Sequence, residues 1–263
     1  MDIPVLSRWH SKRPPEVLVW VGCAGAFDSR YKKVIQVFVQ LLKLAKVSFA
    51  ILGEEETCTG DPAKRMGNEY LFQIQALNNI KSIKKYGIQK IVASCPHCFN
   101  TLKNEYPSLG GKYKVFHHSQ YLQHLIKTKR LLISPEKKDS TPVVYHDSCY
   151  LGRGNQEYEA PRYLLKSFSK SLKEMRRAKS KGLCCGAGGG QMFKEPEKGH
   201  SDIQTERIQE AIQTGAKTIS TGCPFCMTML EDGLKHKEEK NIKVKDLAEW
   251  VWENLPQNPN VKV

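Results

Sequence analysis

Apolar and polar positions along the chain follow two alternating rhythms. Short, nearly uninterrupted apolar runs, VLVWVGC at 17–23, VSFAILG at 47–53, KIVASC at 90–95 and YKVFHHS at 113–119, have the length and β-branched content of buried strands. Between them, YKKVIQVFVQLLKLAK and GNEYLFQIQALNNIKSIKKYG carry apolar residues at three-to-four spacing and predict amphipathic helices. The rhythm then returns. PVVYHDSC at 142–149, a short stretch around SLKEM and AKTISTGC at 216–223 predict strands, while APRYLLKSF, SDIQTERIQEAIQTG and CMTMLEDGLK predict helices. Strand, helix, strand at this spacing predicts parallel pairing through helical crossovers, an α/β fold.

The return is a repeat in sequence as well as in rhythm. Cys23 recurs as Cys149 and Cys58 as Cys184, each 126 positions on; Cys95 recurs as Cys223 and Cys98 as Cys226, each 128 on. ASCPHCFNTLKNE at 93–105 lies over TGCPFCMTMLEDG at 221–233, and CTG at 58–60 over CCG at 184–186. We therefore read two pseudo-symmetric halves, 1–130 and 131–263, joined within the charged, Pro-bearing segment 127–142. Each half is expected to be a small Rossmann-like parallel sheet flanked by helices. Cys23, Cys95, Cys149 and Cys223 fall at the carboxyl ends of expected strands, where open α/β sheets build ligand sites.

Composition narrows the chemistry. The chain has no apolar run of about 18 residues and its start, MDIPVLSRWHSKRPPE, lacks the apolar core of a signal peptide, so a cytoplasmic setting is expected. Thiols stay reduced there, and nine cysteines is an odd number, which favours metal or redox chemistry over a disulfide framework. The formal charge of +14 is spread over Lys-rich stretches such as KSIKKYG and KEMRRAKSK, which suits a solvated surface or docking to an acidic partner or an anionic membrane surface. Nucleic acid is not expected as a partner: the cysteine pairs lie farther apart than zinc-ribbon half-sites, and aromatic residues are not interleaved with the basic runs. No phosphate-binding glycine fingerprint is present.

In the second half the candidate ligands are Cys149, the adjacent pair Cys184 and Cys185, then Cys223 and Cys226 in a Cys-Pro-Phe-Cys turn at an expected helix start. Free N–H groups and the helix dipole favour negative sulfur at such a start. Five thiolates exceed the four that a tetrahedral zinc accepts, and soft sulfur donors suit a multi-iron cluster. Gly186 and Gly188, in the GAGGG run after the pair, are expected to let backbone N–H groups approach cluster sulfur. The first half offers Cys23, Cys58, Cys95 and Cys98, with Thr59 in place of the second cysteine of the pair. Four thiolates suit an ordinary cubane cluster or a zinc.

The motifs HDSCYLGR, CCGAGGG and TGCPFCMTMLEDG resemble the cysteine-rich CCG domain of the B-type and D-type subunits of heterodisulfide reductase, and especially the related iron–sulfur oxidoreductases found with electron-transfer flavoproteins. GCAGAFD, EEETCTGDPAKRMGNE and SCPHCFNTL resemble that group's first CCG domain, so the likeness covers roughly residues 17–252. The resemblance implies that Cys149, Cys184, Cys185, Cys223 and Cys226 hold a noncubane [4Fe–4S] cluster, and that the first-half cysteines hold a second [4Fe–4S] cluster or zinc. It implies an oxidoreductase subunit moving electrons between a ferredoxin-type or flavoprotein partner and a disulfide or the quinone pool, peripheral to the membrane through a membrane-bound partner. The alternative is a zinc-stabilised binding module without redox activity. The chain holds no Cys-x2-Cys-x2-Cys-x3-Cys-Pro run, so the ferredoxin-type clusters of such systems are expected on another chain.

Several other residues enter with two readings. His146 and Asp147, just before Cys149, either donate hydrogen bonds or protons near a cluster or, for Asp147, cap the following turn. His97, inside CPHC, is expected to face solvent, and 54–65 to be an exposed loop whose Pro62 starts a helix. Tyr145, Tyr150 and Tyr163 are expected to be partly buried supports rather than the lining of a substrate cleft.

Overall fold

The computed structural model describes residues 3–133, 140–195, 199 and 201–256, so 134–139 of the expected joint lie outside the described residues. The chain divides into two compact units, Met1–His118 with Ala187–Pro196, and Ser119–Gly186 with Glu197–Val263. In the first, β1 (Val17–Trp20) leads into α1 (Gly22–Phe27) and α2 (Ser29–Leu44), then β2 (Phe49–Ala50), α3 (Asp61–Arg65), α4 (Glu69–Lys85), β3 (Lys90–Ala93), α5 (Pro96–Asn100) and β4 (Lys114–His117). After α6 (His118–Lys127), the second unit repeats the scheme. It runs β5 (Val143–Tyr145), α7 (Gly152–Asn155), α8 (Glu159–Phe168), β6 (Leu172–Lys173), α9 (Ile203–Gln213), β7 (Thr218–Thr221), α10 (Pro224–His236), β8 (Lys243–Asp246) and α11 (Leu247–Asn254).

Both sheets are parallel and four-stranded, ordered β2-β1-β3-β4 and β6-β5-β7-β8, so the α/β repeat expected from the sequence is the fold observed. Leu18, Val19 and Trp20 pair with Ile91, Val92 and Ala93; Val143, Val144 and Tyr145 pair with Thr218, Ile219 and Ser220. Helices cover these strands, which is why β1 is buried along its whole length and reads as an unbroken apolar run. β8 and α11 are not anticipated by the apolar pattern. β8 reads Lys-Val-Lys-Asp with its first lysine exposed, the habit of an edge strand.

The strand order places the site. In each sheet the chain moves outward from the first strand to one side, then crosses to the other, so the loops leaving the first and third strands diverge at their carboxyl ends. That switch point is where open parallel sheets leave a crevice. Cys23, in the first turn of α1, and Cys95, the residue before α5, enter it in the first unit; Cys149, after β5, and Cys223, before α10, enter it in the second. Pro96 and Pro224 follow directly as first helical residues, where the absent N–H costs nothing.

α10, which carries Cys226, packs against α9 through Gly233. A Cβ at that position would lie 2.7 Å from Ile208 Cγ1 and 3.0 Å from the Gln204 carbonyl oxygen, and the backbone oxygen cannot swing aside. Gly233→Ala gains up to about 1 kcal/mol of helix propensity but overpacks the contact by roughly 1–3 kcal/mol. A net loss of about 1–2 kcal/mol in urea unfolding of the full chain is expected; a variant as stable as the parent would contradict this close approach.

Candidate metal centre

In the first unit one carboxylate and one amide gather the loops that carry the cysteines. The N–H groups of Val21 and Gly22, orphaned at the start of α1, donate to Glu56 Oε2 and Oε1 at 3.1 and 2.6 Å, which ties the Cys23 turn to the loop bearing Cys58. Burial pushes the Glu56 carboxyl up to about 7 even though these two donors pull the other way. Asn79, fully buried on α4, accepts from Thr57 N at 3.0 Å and donates to the carbonyl of Cys58 at 3.0 Å and to Tyr106 Oη at 3.1 Å. Tyr106 Oη donates onward to the Thr59 carbonyl.

The four sulfurs meet there in two linked pairs. The Cys23 thiol donates to Cys58, which together with burial pushes Cys23 up; accepting that bond and the Gly60 N–H at 3.5 Å draws Cys58 down to about 7. Cys98 donates to Cys95 and is raised by that bond and by burial. Gly22 has φ +71°, and a Cβ on it would stand 3.4 Å from Cys98 Sγ, so this glycine keeps the floor of the cysteine cluster open. A cavity of about 700 Å³ opens beside Cys23 and Cys58, walled by Val21, Ala26, Phe27 and Ile51.

All five cysteines of the second unit come together in one chain of sulfur contacts. Cys149 donates to Cys184, Cys185 lies between Cys184 and Cys226 and gives its one proton to Cys226 at 3.3 Å, and Cys226 donates to Cys223. The acceptor Cys184 also receives the Gly186 N–H at 3.3 Å and is held far below the usual thiol range; Cys149 and Cys185, as donors in a buried place, are pushed well above it. Gly186, at φ +97°, makes this N–H available. Gly188 makes no comparable approach: a Cβ there would meet nothing within 4 Å, and the run turns through left-handed Gly189 and Gly190, which with Met66, close to Gly190, belong to the first unit.

The two units match atom for atom at the position where they differ. Thr59 Oγ1 lies 3.8 Å from Cys98 Sγ, and its counterpart Cys185 Sγ lies 3.3 Å from Cys226 Sγ. A hydroxyl thus occupies the place of the fifth thiol.

Beside the second cluster His146 and Asp147 are held by Arg207 and Arg162, which the cysteine motifs do not reveal. His146 is fully buried; its Nδ1 accepts from Arg207 Nε at 2.9 Å, and a ring nitrogen lies within 4.8 Å of the sulfurs of Cys185 and Cys226. Burial and the Arg207 charge hold its pKa down to about 3, so the ring is neutral. Arg207 donates also to the Arg177 carbonyl and to Glu210, both at 2.8 Å. Asp147 does not cap the following turn: its two oxygens take Arg162 Nη1 and Nη2 at 2.8 and 2.9 Å, and Oδ2 also takes the Lys179 N–H at 2.7 Å.

Two expectations are corrected. His97 is buried, 6 % exposed, with Nδ1 2.8 Å from Asp61 Oδ2, because α3 brings Asp61 under the CPHC turn from 36 positions away. The segment 54–65 is not an open loop throughout, since Thr59, Asp61 and Ala63 within it are buried; Pro62 is the second residue of α3, which Asp61 starts. Tyr145 is a buried support, under the Arg162 guanidinium at 5.5 Å from its ring centre, while Tyr150 and Tyr163 are half-buried. Asn79, Arg162 and Arg207 leave a trace in the sequence, for each is a polar residue on the apolar face of its helix, beside Ala76, Leu165 and Ile208. Glu56 leaves none, being one of three successive acids.

A family model for the CCG cysteine-rich domain matches residues 17–103 and again 143–231. The EtfAB:quinone oxidoreductase of Syntrophomonas wolfei is 45 % identical over 247 residues, 91 % of this chain and 34 % of that protein. The probable iron-sulfur-binding oxidoreductase FadF of Bacillus subtilis is 44 % identical over 251 residues, 94 % and 35 % of the two chains. The D-type subunit of the dihydromethanophenazine:CoB–CoM heterodisulfide reductase of Methanosarcina barkeri is 32 % identical over 249 residues, 91 % and 59 %. The chain thus spans about a third of the length of the first two relatives.

The Arg162–Asp147 pair is buried on both sides, each side chain 3 % exposed. Arg162→Leu leaves Asp147 without its cation and is expected to cost about 3–5 kcal/mol in urea unfolding. Arg162→Met with Asp147→Leu should recover part of that loss, since no unpaired buried charge remains; a single variant within about 0.5 kcal/mol of the parent would contradict the pairing.

Proposed function

Because the chain belongs, through both of its halves, to the family of CCG cysteine-rich domains, we propose that it is an iron–sulfur redox subunit of a heterodisulfide-reductase-like complex. The reading rests above all on the five sulfurs of Cys149, Cys184, Cys185, Cys223 and Cys226, linked in one chain of contacts. They fit a noncubane [4Fe–4S] cluster better than zinc, being one donor too many for a tetrahedral ion and all of one soft type. Such a cluster, once bound, supplies one-electron transfer.

This chain's own groups set the conditions for that chemistry. Cys184, drawn down by its thiol and Gly186 donors, is the sulfur of this set readiest to bind metal as a thiolate. Cys185, Cys223 and Cys226 are buried, which keeps bulk water from the sulfurs they supply. In the first half, Cys23, Cys58, Cys95 and Cys98 hold a second, four-ligand centre, a [4Fe–4S] cluster or zinc; Thr59, a hydroxyl aimed at Cys98, supports the smaller ligand count. We place electron entry at a ferredoxin-type or electron-transfer-flavoprotein partner, and exit at a disulfide or the quinone pool. Both exits occur in the names of the relatives, a quinone oxidoreductase and a heterodisulfide reductase. Among the described residues no helix is long and apolar enough to cross a membrane. For the quinone exit we propose a membrane-bound partner, with this chain peripheral on its cytoplasmic face.

Anaerobic purification with iron, sulfide and zinc analysis tests the reading: a brown protein with about four irons or more per chain is expected, whereas colourless protein holding two zincs overturns it. Cys185→Ser is expected to abolish the paramagnetic signal of the second-half cluster and leave the other centre intact; an unchanged spectrum refutes the ligand set. In the converse variant, Thr59→Cys, a fifth thiol joins the first-half set, and a second signal of the noncubane kind is expected in electron paramagnetic resonance.

A further inference from the structure

We propose that His146 is a hydrogen-bond donor to the sulfur centre of the second half, its proton held on Nε2 by Arg207, and that Trp20 fills the same office in the first half. The assignment rests on the iron–sulfur reading for its acceptor, and on this chain's own geometry for its donor.

His146 follows the last residue of β5, and its backbone N–H continues the ladder by donating to the Ser220 carbonyl at 2.8 Å, so the ring has a fixed root. Arg207 is wholly buried and locked by three bonds: to His146 Nδ1, to the Arg177 carbonyl and to Glu210. A guanidinium has only protons to give and does not lose them. Nδ1, 2.9 Å from Arg207 Nε, must therefore present its lone pair, and the single proton of the neutral ring sits on Nε2. That nitrogen is buried and lacks a partner among the described residues. An N–H left in this state has given up its bond to water with nothing in return. With the sulfurs of Cys185 and Cys226 within 4.8 Å of a nitrogen of this ring, and Nδ1 already taken by Arg207, the acceptor we assign to Nε2 is sulfur that has become negative, a thiolate or a sulfide.

The same argument excludes the obvious rival, in which His146 is itself a metal ligand. Ligation needs a lone pair at Nε2. Supplying one means either stripping the ring of its only proton or turning it away from Arg207, whose Nη2 is already a buried donor with no partner among the described residues.

The repeat supplies an independent check. His146 stands three residues before Cys149, and three residues before Cys23 stands Trp20. Its indole Nε1 is likewise buried and without a partner among the described residues. Trp20 Cδ1, bonded to that nitrogen, is 4.0 Å from the point where a Gly22 Cβ would stand, and the same point is 3.4 Å from Cys98 Sγ, so ring edge and sulfur flank one gap. Indole is a donor only and never ligates through this N–H. What the two repeats share at this position is thus donation, from two different rings. Hydrogen bonds to cluster sulfur favour the more negative, reduced state and raise the potential.

The first test needs no cofactor. In the ¹⁵N-labelled, reduced, metal-free full chain, long-range ¹H–¹⁵N correlations are expected to show His146 with its proton on Nε2; a proton on Nδ1 overturns the assignment. The second uses the anaerobically reconstituted full chain in redox titrations followed by paramagnetic resonance. His146→Phe is expected to keep its iron and sulfide but shift the one-electron equilibrium of the second-half cluster about tenfold toward the oxidised form, 59 mV lower. His146→Gln, which returns an N–H at similar reach, is expected to restore most of it. An unchanged potential in His146→Phe, or loss of iron from it as a ligand would cause, overturns the proposal. If the parent chain itself takes up no iron and sulfide, the iron–sulfur reading fails instead, and the tautomer still decides whether Arg207 holds the proton.

Discussion

Sulfur atoms that are to share one metal centre must be crowded together before any cation offsets their mutual repulsion, and everything local in this structure follows from that crowding. Thiols at 3.3 Å, as Cys185 and Cys226 are, stay neutral or share protons; the shifts in both units alternate between donor and acceptor along each chain of sulfurs for this reason. The parallel sheets answer the geometric half of the problem. Their switch points set two loops side by side, and proline-started helices deliver Cys-x-x-Cys turns into the gap. The polar half is answered by groups that take up orphaned backbone donors: Glu56 at the start of α1, and Gly60 and Gly186 lending their N–H to sulfur.

Much of this was legible in the chain. Strands buried on both faces announce themselves as apolar runs, and four pairs of cysteines at offsets of 126 and 128 cannot hide a repeat. What stayed hidden was long-range. His97 looks like any residue of a helix start until Asp61 arrives from another helix, and nothing within a few positions of His97 says so. β8 failed to register because two lysines break its apolar period, as suits an edge strand, and α11 follows it without pause. Asn79, Arg162 and Arg207 sit where an apolar residue is expected, and such local misfits are pointers to a buried polar network.

The two halves share their sheet order and part around the sulfurs. Cys185 against Thr59, Ser148 against Gly22 and His146 against Trp20 each change the chemistry of a contact there, and at Gly22, left-handed at φ +71°, the backbone differs from that of Ser148 as well. Ser148, for instance, brings a hydroxyl that bonds Cys226 and lies 3.4 Å from Thr221 Oγ1, where Gly22 leaves open floor.

Asn79 carries a consequence for how the molecule comes into being. Its amide holds the backbone on either side of Cys58 with bonds that involve no sulfur, and Glu56 does the same for the turn of Cys23. Loops secured in this way reach their final path as the polypeptide folds, ahead of any metal. Cofactor loading then becomes a late step in biogenesis, the filling of a finished socket, unlike small zinc modules, in which the ion and the fold arrive together.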